Sequence, residues 1–173
     1  MPNILDIVIE PNPLLHKKSL PVDSIDNSLR SFMDDMLATM YHNNGIGLAA
    51  VQVGVLKKII VIDVGEEFAN NVPMPLFMIN AEIIKRSENL AEFREGCLSV
   101  PGFFAEVRRP ADITVKFINY EGKEEELNIS YGLLAVCVQH EIDHTNGIVF
   151  IDYLSKLKKD FALKKSLKFQ ERA

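Results

Sequence analysis

The chain has 173 residues, 47% hydrophobic and 25% charged, with a net charge of −5. That length fits one domain, and folding a domain this size hides about 70% of the unfolded surface. The composition excludes a disordered chain and a fibrous repeat, and the acidic balance argues against a general or sequence-specific nucleic-acid binder.

The charge is uneven. From Tyr153 to the end there are seven Lys/Arg against two Asp/Glu, a net of +5, so the preceding part carries −10. A basic tail on an acidic body suits a local anionic partner, and equally a solvated helix face. The start, MPNILDIVIEPNP, has no basic segment and is broken by prolines, unlike a secretory leader. No apolar run approaches the ~20 residues of a membrane span. A reducing cytoplasm is therefore expected, with Cys97 and Cys137 both free of disulfide.

The N-terminal arm is proline-rich and aperiodic. Leu29, Phe32, Met33, Met36, Leu37 and Met40 recur at helical spacing, which predicts a helix over 27–43. Asp23, Ser24 or Asp26 can cap its start, and Asn43-Asn44-Gly45 stops it. The next segment, Gly45 to Gln52, only superficially resembles a nucleotide-binding loop, because it follows a helix rather than a strand. It reads as a helix stop and tight turn, or as a backbone wall of an active site to which Gln52 adds an amide.

Lys58–Val64 and Leu76–Ile84 are short apolar runs that predict strands. Ile113–Asn119 alternates, and Tyr120–Lys123 turns the chain into a further strand, Glu125–Ile129. A second helix is predicted over Leu133–Thr145. Its opening LLAVCV is apolar nearly all round, so it is expected to be buried on most sides. A strand-like GIVFID follows. The basic tail, 153–173, then predicts an amphipathic helix with Leu154, Leu157, Phe161 and Leu167 inward. The fold class is α+β: antiparallel or mixed sheets around a buried central helix, with one helix before and one after, in a single catalytic domain over 1–173.

The central helix carries chemistry. His140-Glu141-Ile142-Asp143-His144 is an H-E-x-x-H motif. Residues four apart share a helix face, so both imidazoles reach one ion, and the carboxylate beside them can take a proton from an acidified water. An apolar helix that suddenly presents these groups would bury costly charges unless they were paired or coordinated. Asp143 either orients a ligand or sits exposed at the helix end. Catalytic sites usually have three protein ligands and an open position. Phe150 stands where an extended metalloprotease motif would place a third histidine, and no histidine follows His144. Asp152 and Asp160 are conceivable distant ligands, though the basic last helix is a poor home for a cation. Cys97, preceded by Gly96, is the better third ligand, since thiolate binds Zn²⁺ or Fe²⁺ well. Cys137 sits in the apolar run and reads as cavity lining.

Three stretches, GIGLAAVQ, EGCLS and QHEIDH, stand in that order and resemble the three signatures of the peptide deformylases without a mismatch, and the likeness covers nearly the whole chain. The resemblance implies removal of the N-formyl group from formyl-methionine at the start of new polypeptides. It implies Cys97, His140 and His144 as metal ligands, and Glu141 as general base and then acid. Gln52 and the Leu98 N–H would form the oxyanion hole. Gly45, Ile46 and Gly47 would border the substrate, with Arg94 and Glu95 at the rim. Leu133, Val136 and Cys137 precede His140 by one or two turns and, with Ile46, would form an apolar methionine pocket. The family uses Fe²⁺, with Ni²⁺, Co²⁺ or Zn²⁺ as substitutes. The basic last helix resembles that of members that dock on the ribosome, and Gly102-Phe103-Phe104 would lie near the site. The alternatives are an H-E-x-x-H peptide-bond metalloprotease, which would cut internally and not need Cys97, and a non-catalytic module with a structural metal and a fourth protein ligand.

Overall fold

The computed structural model describes residues 1–65 and 73–172. Helix α1 spans Asn27–His42 and α2 spans Leu133–Thr145. Five strands form one antiparallel sheet: β1 (Gly47–Ala49), β2 (Ile59–Ile62), β3 (Leu76–Arg86), β6 (Ile113–Ile118) and β7 (Glu124–Ile129), in the order β1-β2-β3-β6-β7. Strands β4 (Leu90–Cys97) and β5 (Val100–Pro110) pair as a separate two-stranded sheet. Helix α3 covers Lys156–Arg172, and Ala173 lies outside the described residues. Among the described residues, no helix is long and apolar enough to cross a membrane.

Sequence chemistry accounts for this arrangement. The Asp26 carboxylate accepts the Leu29 N–H at 2.8 Å and caps α1, a bond of a kind worth about 1 kcal/mol. The stripe Leu29, Met33, Met36 and Met40 then packs on one face of the sheet, against Ile59, Val61 and Ile79. The opposite face meets α2: Ile60, Ile62, Met78 and Val115 pack with Ala135, Val138 and Ile142. Strand β2 alternates between two cores, so its unbroken apolar run follows from burial on both faces.

Helix α2 has the sheet on one side and the β4–β5 hairpin on the other. Gln139 Nε2 donates to the Pro110 carbonyl at 2.9 Å, and the His140 ring stacks on Phe150 at 5.8 Å. A third apolar cluster joins the hairpin to the C-terminal region through Val100, Phe103, Val107, Phe150, Ile151 and Ala162.

Three expectations need correction. Gly47–Ala49 is an edge strand rather than a tight turn, and Ala50–Val53 is a 3₁₀ turn. The segment GIVFID forms a 3₁₀ turn over Phe150–Tyr153, because the Asp152 carboxylate accepts the Val149 N–H and closes it. On α3 the inward face is built on Ala162 and Ser166; Leu157 and Leu167 are exposed, and Phe161, half exposed, keeps its ring 6.2 Å from that of Phe103. Small residues allow the helix to approach β5 closely, and the Ser166 hydroxyl donates to the Glu10 carbonyl at 2.9 Å.

Candidate metal and catalytic site

One turn of α2 and the tip of the hairpin converge. Cys97 ends β4, while His140 and His144 lie on one face of α2. Their ligand atoms all fall within 4.8 Å of one another. Cys97 Sγ is 3.4 Å from His144 Nε2. The His140 Nδ1 faces Glu95 Oε1 at 2.8 Å, which leaves Nε2 for the cluster. One sulfur and two imidazole nitrogens, largely buried, form a donor set suited to a divalent transition metal. Glu141 adds an independent sign of fit. Its carboxylate is 3% exposed as a residue, and Oε2 has no hydrogen-bond partner among the described residues. Burial pushes its carboxyl up to about 7, with the His140 charge opposing the rise.

Asp152 and Asp160 do not join the cluster. Asp152 pairs with Lys159 at 2.6 Å, and Asp160 is exposed on α3.

The remaining groups are held by backbone. Gln52 Oε1 accepts the Ala49 N–H at 2.9 Å, so its amide nitrogen faces Ser99 Oγ at 3.1 Å and Cys97 Sγ at 3.4 Å. Leu98 and Ser99 form the hairpin turn, since Cys97 pairs with Val100, and the Leu98 N–H lies outside the ladder. The N-terminal arm ties both pieces together: Val8 N–H donates to the Gln52 carbonyl at 2.7 Å and Glu10 N–H to the Ser99 carbonyl at 2.9 Å. Gly47 lies against α2 so closely that a Cβ there would stand 2.6 Å from Glu141 Oε1 and 2.8 Å from Cys137 Sγ. Any side chain at this position would displace the carboxylate.

A cavity of about 590 Å³ opens over the cluster. Gly45, Ile46, Gly47, Gln52, Arg94, Glu95, Cys97, Leu98, Leu133, Val136, Cys137, His140 and Glu141 all border it. His144 is fully buried beneath. Burial raises the Cys137 thiol well above its ordinary range, which suits a neutral lining group.

Glu95 borders the cavity, yet it is buried. Its carboxylate turns inward and is engaged on three bonds: Arg109 Nε at 2.6 Å, Arg109 Nη2 at 2.9 Å and His140 Nδ1 at 2.8 Å. Burial alone would raise this carboxyl; the hydrogen bonds from His140 and Arg109 overcome it and hold it below the usual carboxylate range. Arg109 also donates to Asp143 Oδ2 at 2.8 Å, which accepts the Tyr153 hydroxyl at 2.7 Å. The chain Tyr153–Asp143–Arg109–Glu95–His140 thus orients one candidate ligand, the usual role of groups behind a metal-binding imidazole. Asp143 is bonded to Arg109 and Tyr153 rather than free at the helix end. Arg109 and Tyr153 gave no signal in the sequence, because nothing local marks an arginine on a strand as a partner of a distant glutamate. Also unforeseen at the cavity are Ile7 and Ile9 of the arm, Phe93, and Phe169 of α3.

Fold and site together present an H-E-x-x-H helix beside a Cys/His₂ candidate centre. Comparison with known proteins gives the family. The sequence profile of the polypeptide deformylases matches residues 4–160. A peptide deformylase of Rhizobium meliloti (strain 1021) is 48% identical over 165 residues, covering 95% of this chain and 93% of the relative. One from Rickettsia akari (strain Hartford) is 48% identical over 171 residues, covering 97% of each. The crystal structure of peptide deformylase from Ehrlichia chaffeensis superposes with a TM-score of 0.92 at 44% identity, covering 98% of both chains. The chain belongs to the polypeptide deformylase family, enzymes that remove N-formyl groups from nascent polypeptides.

Proposed function

We propose that the described chain acts as one catalytic unit that hydrolyses the formyl amide of N-terminal formyl-methionine with the help of one divalent metal ion. The observation that carries this is the buried Glu141 carboxylate, unpartnered at Oε2, beside the Cys97/His140/His144 donor set under an open cavity. Those three side chains would hold the ion, Fe²⁺ in the first instance, with Ni²⁺, Co²⁺ or Zn²⁺ as substitutes. When bound, it supplies Lewis-acid polarisation and lowers the pKa of water.

The chain's own residues do the rest. Glu141 takes a proton from the attacking water, whose oxygen bonds to the formyl carbon. The same carboxyl then protonates the departing amine as the C–N bond breaks, giving formate and a free N-terminus. The Gln52 amide and the Leu98 N–H donate to the developing oxyanion; one such donor is typically worth about 3 kcal/mol. The Gly47 backbone borders the peptide. Ile46, Leu133, Val136 and Cys137 receive the methionine side chain, whose unbranched thioether adapts to an irregular apolar pocket. A formyl group has only hydrogen beyond its carbonyl, so a tight site admits it and rejects acetyl.

Metal-loaded protein, purified without oxygen, is expected to release formate from a formyl-Met tripeptide and to leave internal peptide bonds intact. Internal cleavage without formate would overturn the reading in favour of a peptidase.

The reaction belongs where translation occurs, in the cytoplasm, and both thiols are free as that compartment requires. The outward face of α3, with exposed Lys158, Lys164 and Lys168, is the proposed contact for the ribosome, whose RNA is the anionic partner. Deleting α3 would uncover Ala162 and its core neighbours. Reversing the three charges is therefore the cleaner test: co-sedimentation with ribosomes should fall several-fold, and unchanged co-sedimentation would refute the contact.

A further inference from the structure

Glu10, on the N-terminal arm, carries a carboxylate that the reaction described above does not use, and the residue is 1% exposed. Burying a carboxylate is costly unless it is paired. Its partner is His16, at the end of the 3₁₀ turn Pro13–His16, whose Nε2 stands 2.7 Å from Glu10 Oε1. Burial pushes the Glu10 carboxyl up, and His16 opposes the rise. Two further charges face the pair: Asp152, 3.8 Å from His16 Nδ1, and Lys159, which is paired with Asp152. His16 is itself fixed from behind. A Cβ on Gly147, just past α2, would stand 2.6 Å from the His16 carbonyl oxygen, and the Ser19 N–H donates to the Thr145 carbonyl at 2.9 Å.

The backbone of Glu10 is tied on both sides. Its N–H donates to the Ser99 carbonyl at 2.9 Å, and its carbonyl accepts the Ser166 hydroxyl of α3 at 2.9 Å. Ser99 follows Leu98 in the hairpin turn, and its hydroxyl faces Gln52 Nε2 at 3.1 Å. Two residues earlier in the arm, the Val8 N–H donates to the Gln52 carbonyl at 2.7 Å. One short segment therefore holds both residues assigned as oxyanion donors, Gln52 directly and Leu98 through Ser99. The arm at Glu10 belongs to neither sheet, so no ladder keeps it in register. We propose that Glu10 is a positioning residue for the reaction: its side chain, anchored on His16, sets the spacing between the Gln52 amide and the Leu98 N–H. The inference rests on the reading of these two groups as the oxyanion hole. A shifted donor is felt mainly in the transition state, where the oxyanion forms, and a misplacement of 1 Å can cost on the order of 10²-fold in rate.

The test is kcat and KM for formate release from a formyl-Met tripeptide by metal-loaded Glu10→Ala, Glu10→Gln and His16→Ala, each alone and combined with Gln52→Ala. Glu10→Ala should lower kcat by about ten-fold or more and leave KM within about two-fold, the pattern of an interaction made only in the transition state. Glu10→Gln keeps an oxygen against His16 and should stay within about three-fold of wild type, since it preserves the anchor. In the Gln52→Ala background, Glu10→Ala should cost about three-fold or less, because one donor that it places is already gone. A role in stability alone would cost the same factor in both backgrounds. His16 has a side chain 37% exposed, so His16→Ala spares the core; it should follow the same pattern, and it decides the matter if Glu10→Ala does not fold. Unchanged kcat in folded Glu10→Ala, or full additivity with Gln52→Ala, would overturn the positioning role while leaving the deformylase reading standing. Unchanged kcat in Gln52→Ala would overturn the oxyanion assignment, and no formate from the wild type would overturn the deformylase reading; the role of Glu10 falls with either.

Discussion

Glu141→Ala is expected to lower formate release by at least about 10²–10⁴-fold, the usual contribution of a positioned acid–base group. It should leave metal content unchanged, because the three candidate ligands are other residues. Glu141 sits one residue after His140 on α2, fully inside the protein, with Oε1 at 3.9 Å from His140 Nε2. The Gly47 backbone presses on this carboxylate from the other side and fixes where it points. Burial that raises its carboxyl to about 7 makes it a competent proton acceptor and donor near neutral pH. Glu141→Gln keeps the size and removes the base, so it should be as inactive as alanine. Formate release within ten-fold of wild type, by either variant with full metal content, would show that another group moves the proton.

Arg109→Met is expected to destabilise the fold by about 3–5 kcal/mol, the usual loss when one partner of a buried ion pair is removed. For a chain of this size that corresponds to roughly 6–20 °C in Tm. Arg109 is 5% exposed and makes two bonds to Glu95 and one to Asp143. Without it, Glu95 keeps a buried charge with His140 as its remaining partner. The double variant Arg109→Met/Glu95→Gln should recover part of the loss, since it removes both charges, and the difference between the cycles measures their coupling. Metal affinity should fall in the single variant as well, by the 10–100-fold typical when a group orienting a ligand is lost. Thermal melts of the metal-free proteins separate the two effects. A single variant as stable as wild type would mean that Glu95 finds its compensation elsewhere.

The same ion pair explains what the sequence conceals. Helix α1 is legible because its apolar residues recur at helical spacing, α2 because an apolar run leads into the H-E-x-x-H motif, and their ends carry Asp26, Asn43 and Asn146-Gly147. The β4–β5 hairpin is not, although it is the longest pairing in the fold beside the main sheet. Its inward positions include Glu95 and Arg109, two charges where the alternation calls for apolar residues, so the period-two signal breaks where the structure is most buried. The inward face of α3 is concealed for the opposite reason. Ala162 and Ser166 are too small to register as a core stripe, while Leu157 and Leu167 look like part of one and are exposed. The site was more legible than the fold around it. The H-E-x-x-H spacing on a predicted helix, and a cysteine after glycine, mark a donor set that the folded chain brings within 4.8 Å. Cavity walls supplied by Ile7, Ile9 and Phe169 come from the two ends of the chain, and only tertiary structure places them there.

The account turns most directly on one ion serving one chain through Cys97, His140 and His144. Metal-free enzyme would be titrated anaerobically with Fe²⁺ while formate release from a formyl-Met tripeptide is followed. Activity should rise from near zero and break at one equivalent per chain, with Cys97→Ser failing to reach the same plateau at that ratio. Full activity before any metal is added, or a Cys97→Ser titration indistinguishable from wild type, would contradict it.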